Sequence, residues 1–202
     1  MSRSTPRRVV VVPCAPALLA SYVGLVDPLA EVRTAAVEAV RWLAAGTTER
    51  VLVLGAGPDP ANLPRGVTEP LSTRVAHALL TEAGVDLPVV ETALPDPVPA
   101  LSEHDGFLVV ADGSAKGDER APGHVDERAF AYDQAIEKAL RTADTAALGD
   151  LDASLGAELL AAGVPALREL GSLVHGRFRA ETDYADDPFG VRYWVVRWQC
   201  ES

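Results

Sequence analysis

The pattern that most constrains this fold is a helical segment between two short aliphatic runs, all within the first quarter of the chain. The runs are Val9–Val12 and Val51–Leu54, and each has the length and β-branched character of a buried strand. Between them, apolar residues recur at intervals of three and four over residues 29–44, which is the spacing of one buried helix face. This order predicts a parallel βαβ unit.

The ends of this first helix carry recognisable signals. We expect Asp27 to cap it, Pro28 to occupy its first position and Gly46 to end it. The same criteria predict helices over about 69–83 and 127–141, a pair of helices over 154–173 whose second member restarts at Pro165, and strands over 87–90, 107–111 and 191–198.

The last predicted strand indicates how the layers are arranged. Its residues 191–198 are largely apolar on both faces, which is typical of a strand in a sheet covered on both sides. The 202 residues suffice for one domain with a sizeable core, and the core is aliphatic because only 5% of residues are aromatic. We therefore predict one three-layer α/β/α domain over 1–202, with a largely parallel or mixed central sheet and a disordered segment at 1–8.

Charge and cysteine content exclude some functions. A formal net charge of −11 argues against nucleic acid and against an anionic membrane surface, because both need a basic face. Two distant cysteines, Cys14 and Cys200, predict no disulfide framework. The apolar run after residue 8 is too short for a signal segment, and no stretch reaches membrane-spanning length. These features predict a cytoplasmic protein.

Chemistry-bearing residues follow three of the predicted strands. They are Cys14, the segment Gly55-Ala56-Gly57-Pro58-Asp59 and the segment Asp112-Gly113-Ser114. Ligands of open α/β sheets bind where the carboxyl ends of parallel strands meet, so we expect these segments to share one crevice.

Each of these segments has a structural and a functional interpretation. The segment at 55–59 could cradle a phosphate, but it lacks the third glycine and the lysine of known motifs, so a tight turn is favoured. Ser114 could be a nucleophile beside Asp112, or both could shape a turn. Cys14 could be reactive or an inert core residue.

The four histidines are not spaced along the sequence as the ligands of known metal-binding motifs are. One of them, His124, is a candidate catalytic residue, because it lies in the charged loop after the strand that precedes Asp112; a solvated surface histidine is the alternative. A carboxylate site formed by Asp112 with Asp118 or Asp126 could hold Mg²⁺, or these acids could simply be solvated. The four histidines are His77, His104, His124 and His175.

Several segments, in their order along the chain, resemble one family. The order is similar to that of the LigB-type class III extradiol ring-cleavage dioxygenases, and closest in character to their short, alanine-rich actinobacterial members. The resemblance covers most of the chain and implies a LigB-like α/β fold. Its segments are Pro13–Pro16, Ala111–Ala115, Ala121–Gly123, Phe130–Asp133 and, most specifically, Asp187–Tyr193.

The resemblance also implies an iron site that the sequence does not fill. Family members bind Fe(II) through two histidines and a glutamate and use a further histidine as acid and base. The corresponding positions here hold Cys14, Gly57 or one of its neighbours, and Ala115, and Glu158 is a candidate for the glutamate. Glycine and alanine supply no metal ligand, so we expect these positions to be vestigial and no metal to bind.

Three functions stay open on this basis. The favoured one is a non-catalytic binding or assembly module, with a possible small-molecule ligand and a homo-oligomer, such as a homodimer through sheet or helix surfaces. The second is an enzyme with a rebuilt site that uses Cys14, Asp112, Ser114, His124 or nearby carboxylates. The third is a cryptic extradiol dioxygenase that holds Fe(II) through other residues and cleaves a catechol-like substrate.

Overall fold

A computed structural model describes residues 5–22, 26–60 and 62–201, and in it a mixed six-stranded sheet forms the centre of the protein. The strand order is β3-β2-β4-β1-β6-β5. Strands β1 to β4 pair in parallel, whereas β6 pairs antiparallel to both β1 and β5. The strands are β1 (Arg8–Val12), β2 (Val51–Ala56), β3 (Val89–Leu94), β4 (Gly106–Val110), β5 (Phe178–Asp186) and β6 (Tyr193–Cys200).

Helices cover both faces of this sheet, which confirms the predicted three-layer α/β/α architecture with a mixed sheet. Helices α1 and α2 pack on one face, and α3 to α6 pack on the other. The bounds are α1 (Ala30–Ala45), α2 (Leu71–Ala83), α3 (Arg128–Thr142), α4 (Thr145–Gly149), α5 (Ala153–Glu158) and α6 (Val164–Leu173). The LigB-like details of the fold and the single domain over 1–202 stay predictions.

The two-sided burial explains why the strands are apolar throughout. In β1, Val9 and Val11 face the α3–α6 layer, and Val10 and Val12 face α1 and α2; all four are fully buried. In β6, the indole of Trp198 is buried and donates a hydrogen bond of 2.8 Å to the carbonyl oxygen of Leu140. Each face of a strand thus meets a helical layer.

Several predicted boundaries are wrong. Helix α1 begins at Ala30 rather than at Pro28, although Asp27 does accept a hydrogen bond of 2.9 Å from the backbone N–H of Leu29. Gly55 and Ala56 belong to β2 and not to a turn, which leaves no phosphate-cradling loop at these two residues.

Further differences concern the edges of the fold. Strand β5 was not predicted, and the third strand lies at 89–94 instead of 87–90. The helical pair predicted over 154–173 is confirmed as α5 and α6, with Pro165 in the first turn of α6. The predicted disorder of residues 1–8 is wrong at Arg8, which begins β1; residues 1–4 lie outside the described residues.

In the described part of the chain, no helix is both long and apolar enough to cross a membrane.

Candidate functional site

The carboxyl ends of β1, β2 and β4 meet at one edge of the sheet, as the parallel topology predicts. In the register, Val12 lies beside Val110, and Gly55 lies on the other side of Val110. Cys14, Gly57 and Asp112 each follow one of these strands by one or two residues, so their segments leave the sheet side by side. Because β6 runs antiparallel to β1, its first residue, Tyr193, lies at the same edge.

A loop of residues 113–127, which we call the cover loop, leaves the sheet at this edge. Its backbone is held by hydrogen bonds to two distant turns: the N–H of Ala115 donates to the carbonyl of Leu159 at 3.2 Å, and that of Gly117 donates to the carbonyl of Gly190 at 3.2 Å. The guanidinium of Arg120 donates to the carbonyl of Pro188 at 3.2 Å. The cover loop is therefore anchored on both sides.

Ser114 anchors the base of the cover loop. Its side chain is fully buried; its hydroxyl donates to the carbonyl of Leu159 at 2.9 Å and accepts from the N–H of Lys116 at 3.1 Å. Its backbone N–H donates to Oδ1 of Asp133 at 2.8 Å. With its proton committed to a carbonyl, Ser114 is not placed as a nucleophile, and the turn interpretation describes it better.

Asp112 lies in an environment that disfavours the ionised form of its carboxyl group. Its pKa is raised from 3.8 to about 7, chiefly by burial; its own backbone N–H lowers the pKa, and the negative charge of Asp133 adds a smaller increase. No side-chain hydrogen bond to another described residue offsets this desolvation, so the carboxyl group keeps its proton to near neutral pH.

The groups around Asp112 are held in their neutral forms. Burial raises the pKa of the Cys14 thiol well above its ordinary value, and the charge of Asp112 adds to the effect. Burial raises the pKa of Tyr193 to about 12, with contributions from Asp112 and Cys14. Because a thiolate is the reactive and metal-binding form, Cys14 is a poor nucleophile and a poor ligand in this setting.

Sequence reasoning missed Asp133, the second perturbed acid of the edge. It lies on α3 and is only 8% exposed. Burial raises its pKa to about 6; the N–H of Ser114 and the charge of Arg192 lower it, and Asp187 and Glu137 raise it. The sequence feature that could have identified Asp133 is an acid among the residues that form the buried face of this helix, such as Tyr132 and Ile136. We call Cys14, Asp112, Asp133 and Tyr193 the edge cluster.

An open groove of about 720 Å³ runs beside α3 and reaches Asp133. On its floor, Arg192 donates to Oε2 of Glu137 from Nε at 3.0 Å and from Nη2 at 2.8 Å. The indole N–H of Trp194 donates to the same oxygen at 3.3 Å. We call this cavity the α3 groove; it is formed by residues of α3, of the turn at 187–190 and of the cover loop.

Two acids of the candidate carboxylate site for Mg²⁺ are paired with arginines. Asp118 is neutralised by Arg120, whose Nε donates to Oδ2 at 2.8 Å, and Asp126 is neutralised by Arg128, whose Nη2 donates to Oδ2 at 2.7 Å. Among the described residues, no group of three or more His, Cys, Asp and Glu side chains is arranged to hold a metal ion.

The histidines do not gather at the edge cluster. His77 contacts Glu91 between α2 and β3, and His104 precedes β4 at the opposite edge of the sheet. His175 follows α6, where its backbone N–H donates to Thr5. His124 is exposed on the cover loop, and it is the one described histidine on that loop.

The residues at the positions implied by the resemblance do not fit an iron(II) site. A Cβ at Gly57 would collide with the carbonyl oxygen of Leu94, so this position has no space for a side chain. Ala115 carries only a methyl group, and Cys14 is a neutral thiol. Glu158 is more than half exposed and pairs with Arg128 at 2.9 Å instead of facing the edge cluster.

Neither the comparison with protein-family models nor that with curated proteins finds a match for this sequence. The assignment to LigB-type dioxygenases therefore stays a prediction that rests on the residues quoted for it.

Proposed function

We propose that this chain is a metal-independent binding and assembly module, built on a dioxygenase-like fold and lacking ring-cleavage activity. One observation carries the proposal: at Gly57, where a histidine ligand is expected, the Leu94 carbonyl leaves no space for any side chain. A facial iron(II) site needs three protein ligands with open positions for substrate and oxygen. Losing one ligand position to backbone contact is enough to prevent that arrangement.

The rest of the edge supports the same proposal. Cys14 is held as a thiol, and the cover loop beside it is tied by hydrogen bonds to the turns at 159 and 190. The open space lies beside this edge, in the α3 groove. Recognition at that groove needs no metal. We also propose a cytoplasmic location, since Cys14 and Cys200 are both unpaired.

The test is elemental mass spectrometry of untagged protein purified anaerobically, together with assays on catechols. We expect iron far below one atom per chain and no yellow ring-cleavage product, even after Fe(II) is added back. Iron near one atom per chain with turnover of a catechol would overturn the proposal. Stoichiometric zinc or manganese would also overturn the metal-independent part.

A second candidate, an acid–base enzyme with a rebuilt site, is favoured by the two perturbed carboxyl groups of the edge cluster. Asp112, with a pKa near 7, and Asp133, with a pKa near 6, are poised to exchange protons near neutral pH. This candidate predicts that a bound small molecule lowers or raises one of these pKa values. The carboxyl ¹³C chemical shifts, followed by NMR through a pH titration with and without the molecule, would reveal it.

A further inference from the structure

The exposed face of α3 carries residues that the fold of one chain does not explain. Phe130 is 69% exposed, although α3 buries its other face against the sheet. Ala131, Gln134 and Ala135 are exposed along the same helix. A large aromatic group next to small residues is typical of a helix surface that another helix approaches closely, since small side chains let the backbones come together.

The α3 groove lies beside this face. It is lined by Phe130, Ala131 and Ala135 on one side and by Asp187, Gly190 and Arg192 on the other. Its volume of about 720 Å³ is ample for the side chains of a second helix. Phe189, in the turn that forms the far wall, is a further exposed aromatic residue.

Charge is distributed unevenly along the groove. Asp187 lies near the amino-terminal half of α3, where its negative charge raises the pKa of Asp133. Asp187 pairs with Arg120 at 3.6 Å, but Arg120 also faces Asp118 and Asp186, so acids outnumber bases at this end. Lys138 and Arg141 line the carboxyl-terminal half; Lys138 is exposed, and Arg141 forms an ion pair of 3.6 Å with Glu137, which also binds Arg192. The groove thus has an acidic end and a basic end, separated by about one and a half to two turns of helix.

We propose that the α3 groove is a homodimer interface whose occupant is α3 of a second copy of this chain, packed antiparallel about a two-fold axis near Gln134. The proposal rests on the proposed function, because it names the partner of an assembly module. A two-fold axis places each acidic end opposite the partner's basic end, so one surface is complementary to itself. Parallel packing would instead oppose like charges.

The dimensions suit this arrangement. A helix of 15 residues is about 22 Å long, and helix axes can approach to about 8–10 Å where the contact residues are small. Ala131 and Ala135 then meet near the axis, and each Phe130 enters the groove of the other copy. Phe130 is the expected centre of the binding energy, since exposed aromatic anchors that become buried usually dominate an interface.

The first experiment compares Phe130→Ala with Tyr22→Ala. Tyr22 is an equally suitable aromatic residue, 59% exposed, on the α1–α2 side of the sheet. Light scattering and sedimentation over a concentration series should give a native mass of twice 21.3 kDa. We expect Phe130→Ala to weaken the dimer at least about tenfold and Tyr22→Ala to leave it unchanged. Circular dichroism and melting temperature should match the parent in both variants.

The second experiment uses charge reversal to test the antiparallel geometry. Asp187→Lys alone, and Lys138→Glu with Arg141→Glu in another chain, should each weaken self-association, because both ends then carry like charges. Mixed in equal amounts, the two variants should form a heterodimer, since every contact is again between opposite charges. Native mass spectrometry distinguishes the heterodimer by mass. Asp86→Lys, after α2, is the control for an exposed acid away from α3.

Three results would refute this interface. A monomer at all accessible concentrations, a dimer indifferent to Phe130→Ala, or variants that do not pair when mixed would each overturn it. These outcomes are separate from those of the proposed function. A metal-free monomer would leave the metal-independent module intact but without this partner, whereas an iron-loaded dimer would retain the interface and remove the proposed function.

Discussion

Replacing Asp112 with asparagine should stabilise the protein at alkaline pH, because the wild-type protein then carries a charge at a desolvated position. Burial raises the pKa of this carboxyl from 3.8 to about 7. At about 1.4 kcal/mol per pKa unit, the ionised form in the folded protein costs about 4 kcal/mol relative to the unfolded chain. Asp112 retains some contact with solvent, so we expect a measured gain of about 2–4 kcal/mol above pH 8.

The sign follows from proton binding. Between about pH 4 and pH 7, unfolded Asp112 is ionised while folded Asp112 keeps its proton, so the native state binds one proton more. The stabilising effect of that proton is fully present below pH 4 and is lost as the pH rises through about 7. The free energy of unfolding should therefore fall through this window in the wild type, and Asp112→Asn should remove the contribution of this residue to the slope.

Urea unfolding of both proteins at intervals from pH 4.5 to pH 8.5 measures the effect. For a chain of this size, a gain of 2–4 kcal/mol corresponds to a melting temperature higher by roughly 4–16 °C. The control is Asp150→Asn, an exposed acid after α4, which should change neither stability nor slope. Equal slopes in Asp112→Asn and the wild type, or a variant less stable at pH 8 than the parent, would refute the assignment of a desolvated acid at this position.

Three further predictions concern the edge of the sheet. Ser114→Ala should lower the free energy of unfolding by about 0.5–1.5 kcal/mol in urea titrations, because the Leu159 carbonyl loses one of its two donors and the N–H of Lys116 loses its acceptor; an unchanged midpoint would contradict this anchoring role. Gly57→Ala should cost about 1–3 kcal/mol in the same assay through its collision with the Leu94 carbonyl; a neutral effect would show that space for a ligand exists. Cys14 should react slowly with iodoacetamide at pH 8 in the native protein and rapidly in urea, as measured by peptide mass spectrometry; fast native labelling would contradict a raised thiol pKa.

The layers of the fold could be predicted because the central strands are short aliphatic runs and the first helix has a clear apolar period. Strand β5 could not be predicted in the same way. It lies at the sheet edge and pairs with β6 alone, and most of its side chains are partly or fully exposed. A strand without a continuous buried face lacks the hydrophobic pattern on which sequence-based assignment depends.

The sequence predicts where the candidate site lies, but it does not identify all of the residues that form it. Parallel topology requires the ends of β1, β2 and β4 to meet, so Cys14 and Asp112 could be placed at one edge from the sequence. Asp133 comes from a helix, and its approach to Ser114 depends on how α3 packs. The α3 groove joins α3, which ends at Thr142, to the turn that begins at Asp187, and no local sequence pattern indicates a contact over that separation.

The unfavourable free energy of the desolvated Asp112 carboxylate in the folded protein bears on the choice between the two functional proposals. Leucine, asparagine or alanine would avoid the desolvation of a carboxyl group that no cation of the described residues stabilises, and perturbed acids concentrate where chemistry or binding uses them. An assembly module that acts only through α3 has no use for Asp112. If Asp112→Asn is more stable and dimerises like the parent, the acid serves neither folding nor assembly. The edge cluster would then have a role of its own, and the acid–base candidate would gain support at the expense of a purely structural module.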